Sequence, residues 1–150
     1  MAYEVTMKTF SISSPTLTDI DTLWRWGEEN WELWGDDVNK WFTKEALKIW
    51  LSDPKDDILL VARDGKKLVG MCFTHVMWNW SLCFGLFVEK EYRGKSIGKQ
   101  LIFETEKRLK EKGIKNFTLL VDTKNDKALK FYLREGFYKG FLFYMMSKNY

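Results

Sequence analysis

The segment Leu82-Cys83-Phe84-Gly85-Leu86-Phe87-Val88-Glu89-Lys90-Glu91-Tyr92-Arg93-Gly94-Lys95-Ser96-Ile97-Gly98-Lys99 constrains the fold of this chain more than any other. An apolar run ends at Val88, a turn of small and basic residues follows, and a helical pattern begins at once, with Ile97, Leu101, Thr105 and Leu109 at spacing four. Such a junction makes an anion site. The first N–H groups of a helix lack internal acceptors, and the helix dipole adds partial positive charge there. Small residues let a phosphate approach the backbone. Arg93, Lys95 and Lys99 add full charges.

The rest of the chain supplies elements on either side. Val5 to Ile12 alternates as a strand does, and Pro15 interrupts it. Thr18 is expected to cap a helix with Asp21 at the third position, carrying Ile20, Leu23, Trp24 and Trp31, with Gly27 and Gly35 as interruptions. Thr43 caps a second helix through Ala46, Leu47, Trp50 and Leu51, ended by Ser52-Asp53-Pro54-Lys55. Ile58–Arg63 and Lys67–Trp78 read as strands joined at Asp64-Gly65, and Asn79-Trp80 turns into the strand Leu82–Val88. A helix over Ser96–Lys112 ends at Gly113. A strand over Phe117–Val121, a helix from about Asp126 to Gly136, and a last strand over Phe141–Met146 complete the order β-α-α-β-β-β-α-β-α-β. Short turns imply antiparallel pairing, and the helix between the Leu82 and Phe117 strands implies a parallel pair. The class is α+β, and 150 residues form one domain, 1–150.

Composition narrows the function. No apolar run spans a membrane, and no basic region precedes an apolar one at the start, so a cytoplasmic protein without a signal peptide is expected. Cys72 and Cys83 read as reduced core thiols. One His and no Cys-x-x-Cys argue against a metal. The net charge of +3 divides unevenly: residues 1–57 carry −6 and residues 58–150 carry +9. The basic part suits a polyanion, and the acidic part suits a cation. Lys107, Arg108, Lys110, Lys112 and Lys115 alternate with acids, which reads as a solvated helix face rather than a nucleic-acid surface.

A second motif, Asn125-Asp126-Lys127-Ala128-Leu129-Lys130-Phe131-Tyr132-Leu133-Arg134-Glu135-Gly136-Phe137, follows the turn. Together the two resemble the paired motifs of the GNAT superfamily of N-acetyltransferases. Arg93, Ser96 and Gly98 match the Arg/Gln-x-x-Gly-x-Gly/Ala pyrophosphate loop, and Asn125, Ala128, Phe131, Tyr132, Gly136 and Phe137 match the Asn-x-x-Ala-x-x-aromatic-Tyr-x-x-x-Gly-Phe helix. The resemblance runs from about Ile58 to Phe137. It implies a mixed, mostly antiparallel sheet with a splayed parallel strand pair and flanking helices. It also implies acetyl-CoA as cosubstrate, without a metal. Ser96 departs from the usual Gly; we expect it at negative φ, its hydroxyl capping the helix or meeting a phosphate. Between Gly136 and the Phe141 run there is little room for the family's usual final pair of long strands.

The resemblance assigns roles residue by residue. The turn Arg93, Gly94, Lys95, Ser96, Ile97, Gly98 and Lys99 would take the pyrophosphate, and Leu86, Phe87 and Val88 would pair their backbone with the pantetheine amides. Asn125 is a helix cap, a cofactor contact, or both. Tyr132 would protonate the leaving sulfur, or else packs at helical spacing. The strand before the turn lacks the acid that many members carry. His75 and Glu28, Glu29 and Glu32 are the other candidates to accept a proton or hold an acceptor, together with Trp31 and Trp34, whose faces attract cations. The implied activity is direct acetyl transfer to a primary amine: a small amine, a polyamine, or a protein lysine or N-terminus. The alternative is a non-catalytic acyl-CoA-binding regulatory domain. Membrane and nucleic-acid partners are not expected, and the oligomeric state is monomer or homodimer.

Overall fold

The computed structural model describes residues 10–33 and 41–150. The chain divides into two compact units, 1–120 and 121–150. The first unit is built on a five-stranded sheet in the order β1 (Ser11–Ser13), β2 (Ile58–Asp64), β3 (Lys67–Met77), β4 (Trp80–Val88), β5 (Thr118–Leu119). Neighbours pair antiparallel except β4 and β5, which are parallel.

Alternation in the strands separates two cores. Ile58, Leu60 and Ala62 of β2, with Val69 and Cys72 of β3, pack against Ile97, Leu101 and Leu109 of α3 (Ile97–Glu111). Leu59 and Val61, with Met71, Phe73 and Phe87, pack against Leu23 and Trp26 of α1 (Ile20–Glu29) and Leu47 of α2 (Lys44–Ser52). Burying a side chain of this size contributes roughly 1.5–3 kcal/mol. Both faces of the sheet are covered, which is why β2 is apolar and buried from Ile58 to Ala62.

Local signals explain the boundaries. Thr43 Oγ1 accepts from the Ala46 N–H at 3.1 Å and caps α2. The start of α1 differs from expectation. Asp19, not Thr18, organises it, accepting from the Thr16 N–H at 2.7 Å and forming a two-pronged pair with Arg63 of β2 at 3.1 and 2.6 Å. Thr16 and Asp19, three residues apart, form a capping box on the single turn Leu17–Asp19 that leads into α1, and Arg63 of the sheet holds the same carboxylate. Gly27 does not interrupt α1. A Cβ there would lie 1.8 Å from Cδ1 of Trp41, so Gly27 makes room for an indole packed against the helix. The first strand is described only over Ser11–Ser13 and from residue 10; Val5 to Thr9 and Gly35 lie outside the described residues.

The β4–β5 pairing is short, confined to Leu82↔Thr118 and Cys83↔Leu119. The expected strand Phe117–Val121 thus shrinks to two residues. It is pinned at one end: Trp80 Nε1–H donates to Thr118 Oγ1 at 3.1 Å, and the Ser81 N–H donates to Asn116 Oδ1 at 2.9 Å. At the other end a bulge between Phe73 and Thr74 shifts the β3–β4 register and leaves Phe84 without a Cα partner on β3. A bulge bends its strand and increases the local twist. β4 continues to Val88, well past the last residue of β5.

The second unit contains α4 (Asp126–Arg134). The Asn125 side chain accepts from the Ala128 N–H at 3.1 Å and caps it. Gly136, at φ 91, ends it, with the Phe137 N–H donating to Tyr132 O at 3.0 Å. The expected last strand over Phe141–Met146 is not formed. These six side chains are 68–95% exposed, and their unit contains no strand to which they could add. An alternating apolar run becomes a strand only where a ladder satisfies its backbone.

Candidate active site

Four observations shape the strand–turn–helix junction. A single turn, Lys90–Tyr92, follows β4, and Tyr92 Oη donates to Asp64 Oδ2 at 3.0 Å, tying the turn to the β2–β3 hairpin. Gly94 has φ 74 and Ser96 φ 63, two left-handed residues around Lys95. The first helical bond runs from the Gln100 N–H to Ser96 O at 3.0 Å, so the N–H groups of Ile97, Gly98 and Lys99 precede it and have no acceptor within α3. Gly70 lets α3 approach β3: a Cβ there would lie 3.0 Å from Phe87 O and 3.3 Å from Ile97 and Leu101.

Ser96 corrects the expectation of negative φ. It is left-handed, and its hydroxyl makes no capping bond. The reason is the turn itself, whose curl needs positive φ where the loop enters α3. Curled backbone of this kind turns successive N–H groups toward one point and favours an anion. Exposed Arg93, Lys95 and Lys99 surround it. Arg93 Nε–H donates to Val88 O at 2.9 Å, and the Lys67 and Lys95 ammonium groups lie 5.1 and 5.0 Å from the Tyr92 ring. The residues present therefore fit the diphosphate of a coenzyme.

Leu86, Phe87 and Val88 pair on one side with Cys72, Met71 and Gly70 of β3. Beyond Cys83, β5 supplies no partner on the other side. That edge can accept an extended amide chain.

The region beside Phe84 is aromatic. Phe84 lies 6.3 Å from Phe42, 6.1 Å from Trp50 and 6.0 Å from His75, ring centre to ring centre. His75 Nδ1 is 2.6 Å from Asp57 Oδ1. Asp57 also accepts from the Val76 N–H at 2.9 Å and from Trp50 Nε1–H at 2.7 Å. Nothing local marks Asp57 in the sequence, because its three partners lie on α2 and β3. Glu89 was missed for the same reason: it accepts from Trp26 Nε1–H at 2.7 Å, with Arg25 at 3.9 Å. A lone Gly in a strand pattern was a usable signal for Gly70.

The other expected residues lie on α1, on the turn after it and in the second unit. Glu28, half-buried, and exposed Glu29 end α1, and exposed Glu32 lies in the single turn Trp31–Leu33. Trp34 lies outside the described residues. In the second unit, half-buried Tyr132 has its ring between Phe131 at 5.3 Å and Phe137 at 5.4 Å. The Cys72 and Cys83 thiols are free and buried, with sulfurs 3.8 Å apart. Burial and the neighbouring thiol interact here: the hydrogen bond from Cys83 lowers the Cys72 thiol, and the same contact raises the Cys83 thiol. Among the described residues no group of three or more His, Cys, Asp or Glu is placed to hold a metal, and no helix is long and apolar enough to cross a membrane.

Comparison with known proteins agrees with this geometry. The profile of the Acetyltransferase (GNAT) family matches residues 20–137. A spermidine N(1)-acetyltransferase of Thermoplasma acidophilum is 31% identical over 138 residues, covering 81% of this chain and 84% of that protein. The PaiA N-acetyltransferase of the same organism, solved with coenzyme A, is similar in fold at a TM-score of 0.63 and 23% identity, over 84% of this chain and 87% of that one. The aminoglycoside acetyltransferase meta-AAC0020, from an uncultured soil metagenomic sample, reaches a TM-score of 0.73 at 22% identity over 93% and 97%. The chain thus belongs to the GNAT family: it is an N-acetyltransferase with the α+β fold of that family, and acetyl-CoA is its cosubstrate.

Proposed function

We propose that this enzyme acetylates a primary amine that carries positive charge, a polyamine foremost, by direct attack of the amine on the thioester. The observation that carries this reading is the relative 31% identical over most of both chains, whose name specifies spermidine. The net charge of −6 over residues 1–57 supports a cationic acceptor. Glu28, Glu29 and Glu32 would hold its ammonium groups, and we assign Trp31 and Trp34 to the same cation, because indole faces attract positive charge.

Acetyl-CoA supplies the carbonyl that is attacked and the thiolate that leaves. Backbone N–H groups of Gly94 through Lys99, with Arg93, would bind its diphosphate, and Leu86, Phe87 and Val88 would align its amide arm. Asn125 would contact the cosubstrate while capping α4. The Tyr132 hydroxyl would donate to the departing sulfur, since a phenol keeps its proton at neutral pH. The family profile runs across both units, which supports their working as one domain, 1–150.

The test is thiol release from acetyl-CoA with a panel of spermidine, simple alkyl amines, an aminoglycoside and peptides with free N-termini or lysines. Saturable release with spermidine at low KM is the expected outcome. Binding of coenzyme A without release for any amine would overturn the reading in favour of a regulatory acyl-CoA-binding domain.

A further inference from the structure

An ammonium acceptor must shed a proton before it attacks, yet β4 carries no acid between Trp80 and Val88. Resting on the acetyltransferase reading above, we propose that His75 takes that proton at Nε2 and that Asp57 is the residue that positions it. Three features of the first unit point there.

The first is the tautomer. Asp57 accepts from two groups that can only donate, the Val76 N–H at 2.9 Å and Trp50 Nε1–H at 2.7 Å. Its third partner, His75 Nδ1 at 2.6 Å, therefore meets an acceptor and carries the hydrogen. The neutral ring then has its lone pair on Nε2. With its carboxylate 9% exposed and held by three donors from α2 and β3, Asp57 fixes the ring's orientation. A partner that fixes one imidazole nitrogen decides what the other can do.

The second is position. His75 pairs with Leu82, and Thr74 with Cys83, the last β4 residue joined to β5. The next residue, Phe84, is the bulged one, and its ring centre is 6.0 Å from that of His75. His75 thus stands beside the end of the β4–β5 pairing, on the face lined by Phe42, Trp50 and Phe84. The third is access. Its side chain is 41% exposed, so the ring can meet a substrate and return a proton to solvent.

The proton balance closes. One proton of the ammonium goes to His75 Nε2 and then to water. The neutral amine forms the N–C bond, the C–S bond breaks, Tyr132 gives the thiolate its proton, and the second proton leaving the nitrogen returns to Tyr132.

The test compares two acceptors near neutral pH: spermidine, which is protonated, and a hydrazide, which is already neutral. His75→Gln should lower kcat with spermidine by roughly 10²-fold, the usual worth of a proton acceptor, and change the hydrazide rate little. Coenzyme A affinity should stay unchanged. Asp57→Asn should cause a smaller loss with the same preference, and free imidazole should restore His75→Ala. Equal losses with both acceptors, no loss, or no rescue by imidazole would overturn the assignment while the acetyltransferase reading stands. A native enzyme that releases no thiol with any amine overturns both.

Discussion

Ser96 holds a left-handed backbone at φ 63 where the related loops usually place Gly. Left-handed geometry costs an L-residue about 1–2 kcal/mol. Replacing it with Gly recovers that strain but adds about 0.4–1 kcal/mol of chain entropy to the unfolded state. Strain is the larger effect, so Ser96→Gly should raise Tm by about 2–4 °C for each net kcal/mol recovered in a chain of this size. A Tm that falls on substitution would show that the turn tolerates Ser without strain. Tyr132 poses a different single-residue question, since its ring packs between Phe131 and Phe137 and its hydroxyl is assigned to the leaving sulfur. Tyr132→Phe keeps the packing. It should lower kcat about 10-fold or more and leave the acetyl-CoA KM nearly constant. Activity within about twofold of wild type removes the acid role.

At the scale of elements, α3 is where packing and binding meet. Its first turn, where we place the diphosphate, lies against β3 and β4 because Gly70 leaves the room. Gly70→Ala must push back against a backbone carbonyl and two side chains. Overpacking of this kind costs about 1–3 kcal/mol. Denaturant unfolding should report that loss, and calorimetry should report weaker coenzyme A binding in the same variant. Stability loss with unchanged affinity would separate the contact from the site. Gly98→Asp tests the helix N-terminus directly, placing a negative charge among N–H groups that lack helical acceptors. Coenzyme A affinity should fall more than about tenfold, a penalty above 1.4 kcal/mol, while the unfolding midpoint moves little. Unchanged binding would remove the diphosphate assignment from α3.

At the scale of the whole molecule, charge is divided along the chain, −6 over residues 1–57 and +9 over residues 58–150. Arg108 of α3 pairs with Glu104 at 2.9 Å, and Lys112, just past α3, pairs with Asp56 at 3.3 Å. The acidic excess includes Glu28, Glu29 and Glu32, at or beyond the end of α1. Reversing all three to Lys should raise the KM for a cationic acceptor and leave coenzyme A affinity alone. The effect should shrink with added salt, because exposed charges are screened beyond about 10 Å at 0.1 M. A wild-type acceptor KM at low salt would mean these carboxylates only face solvent.

What the sequence determined by itself was whatever depends on near neighbours. Periodicity placed α2, α3, β2 and β3 within a residue or two, Asn125 and Thr43 announced their caps, and the paired motifs identified the family. Only the tertiary structure decided features that depend on groups distant along the chain. Asp19 is held by Arg63 of β2, a partner that its local capping box with Thr16 does not reveal. Gly27 sits within a helix because Trp41 fills the space a side chain would need. Ser96 turns left-handed because the loop must curl into α3, and Phe141–Met146 stays out of a strand because its unit offers no ladder. Asp57 gathers the Trp50 indole, the Val76 N–H and the His75 ring across two elements. Burial and hydrogen bonding between residues far apart in the chain set these outcomes, and pattern along a sequence records only the local part of that free energy.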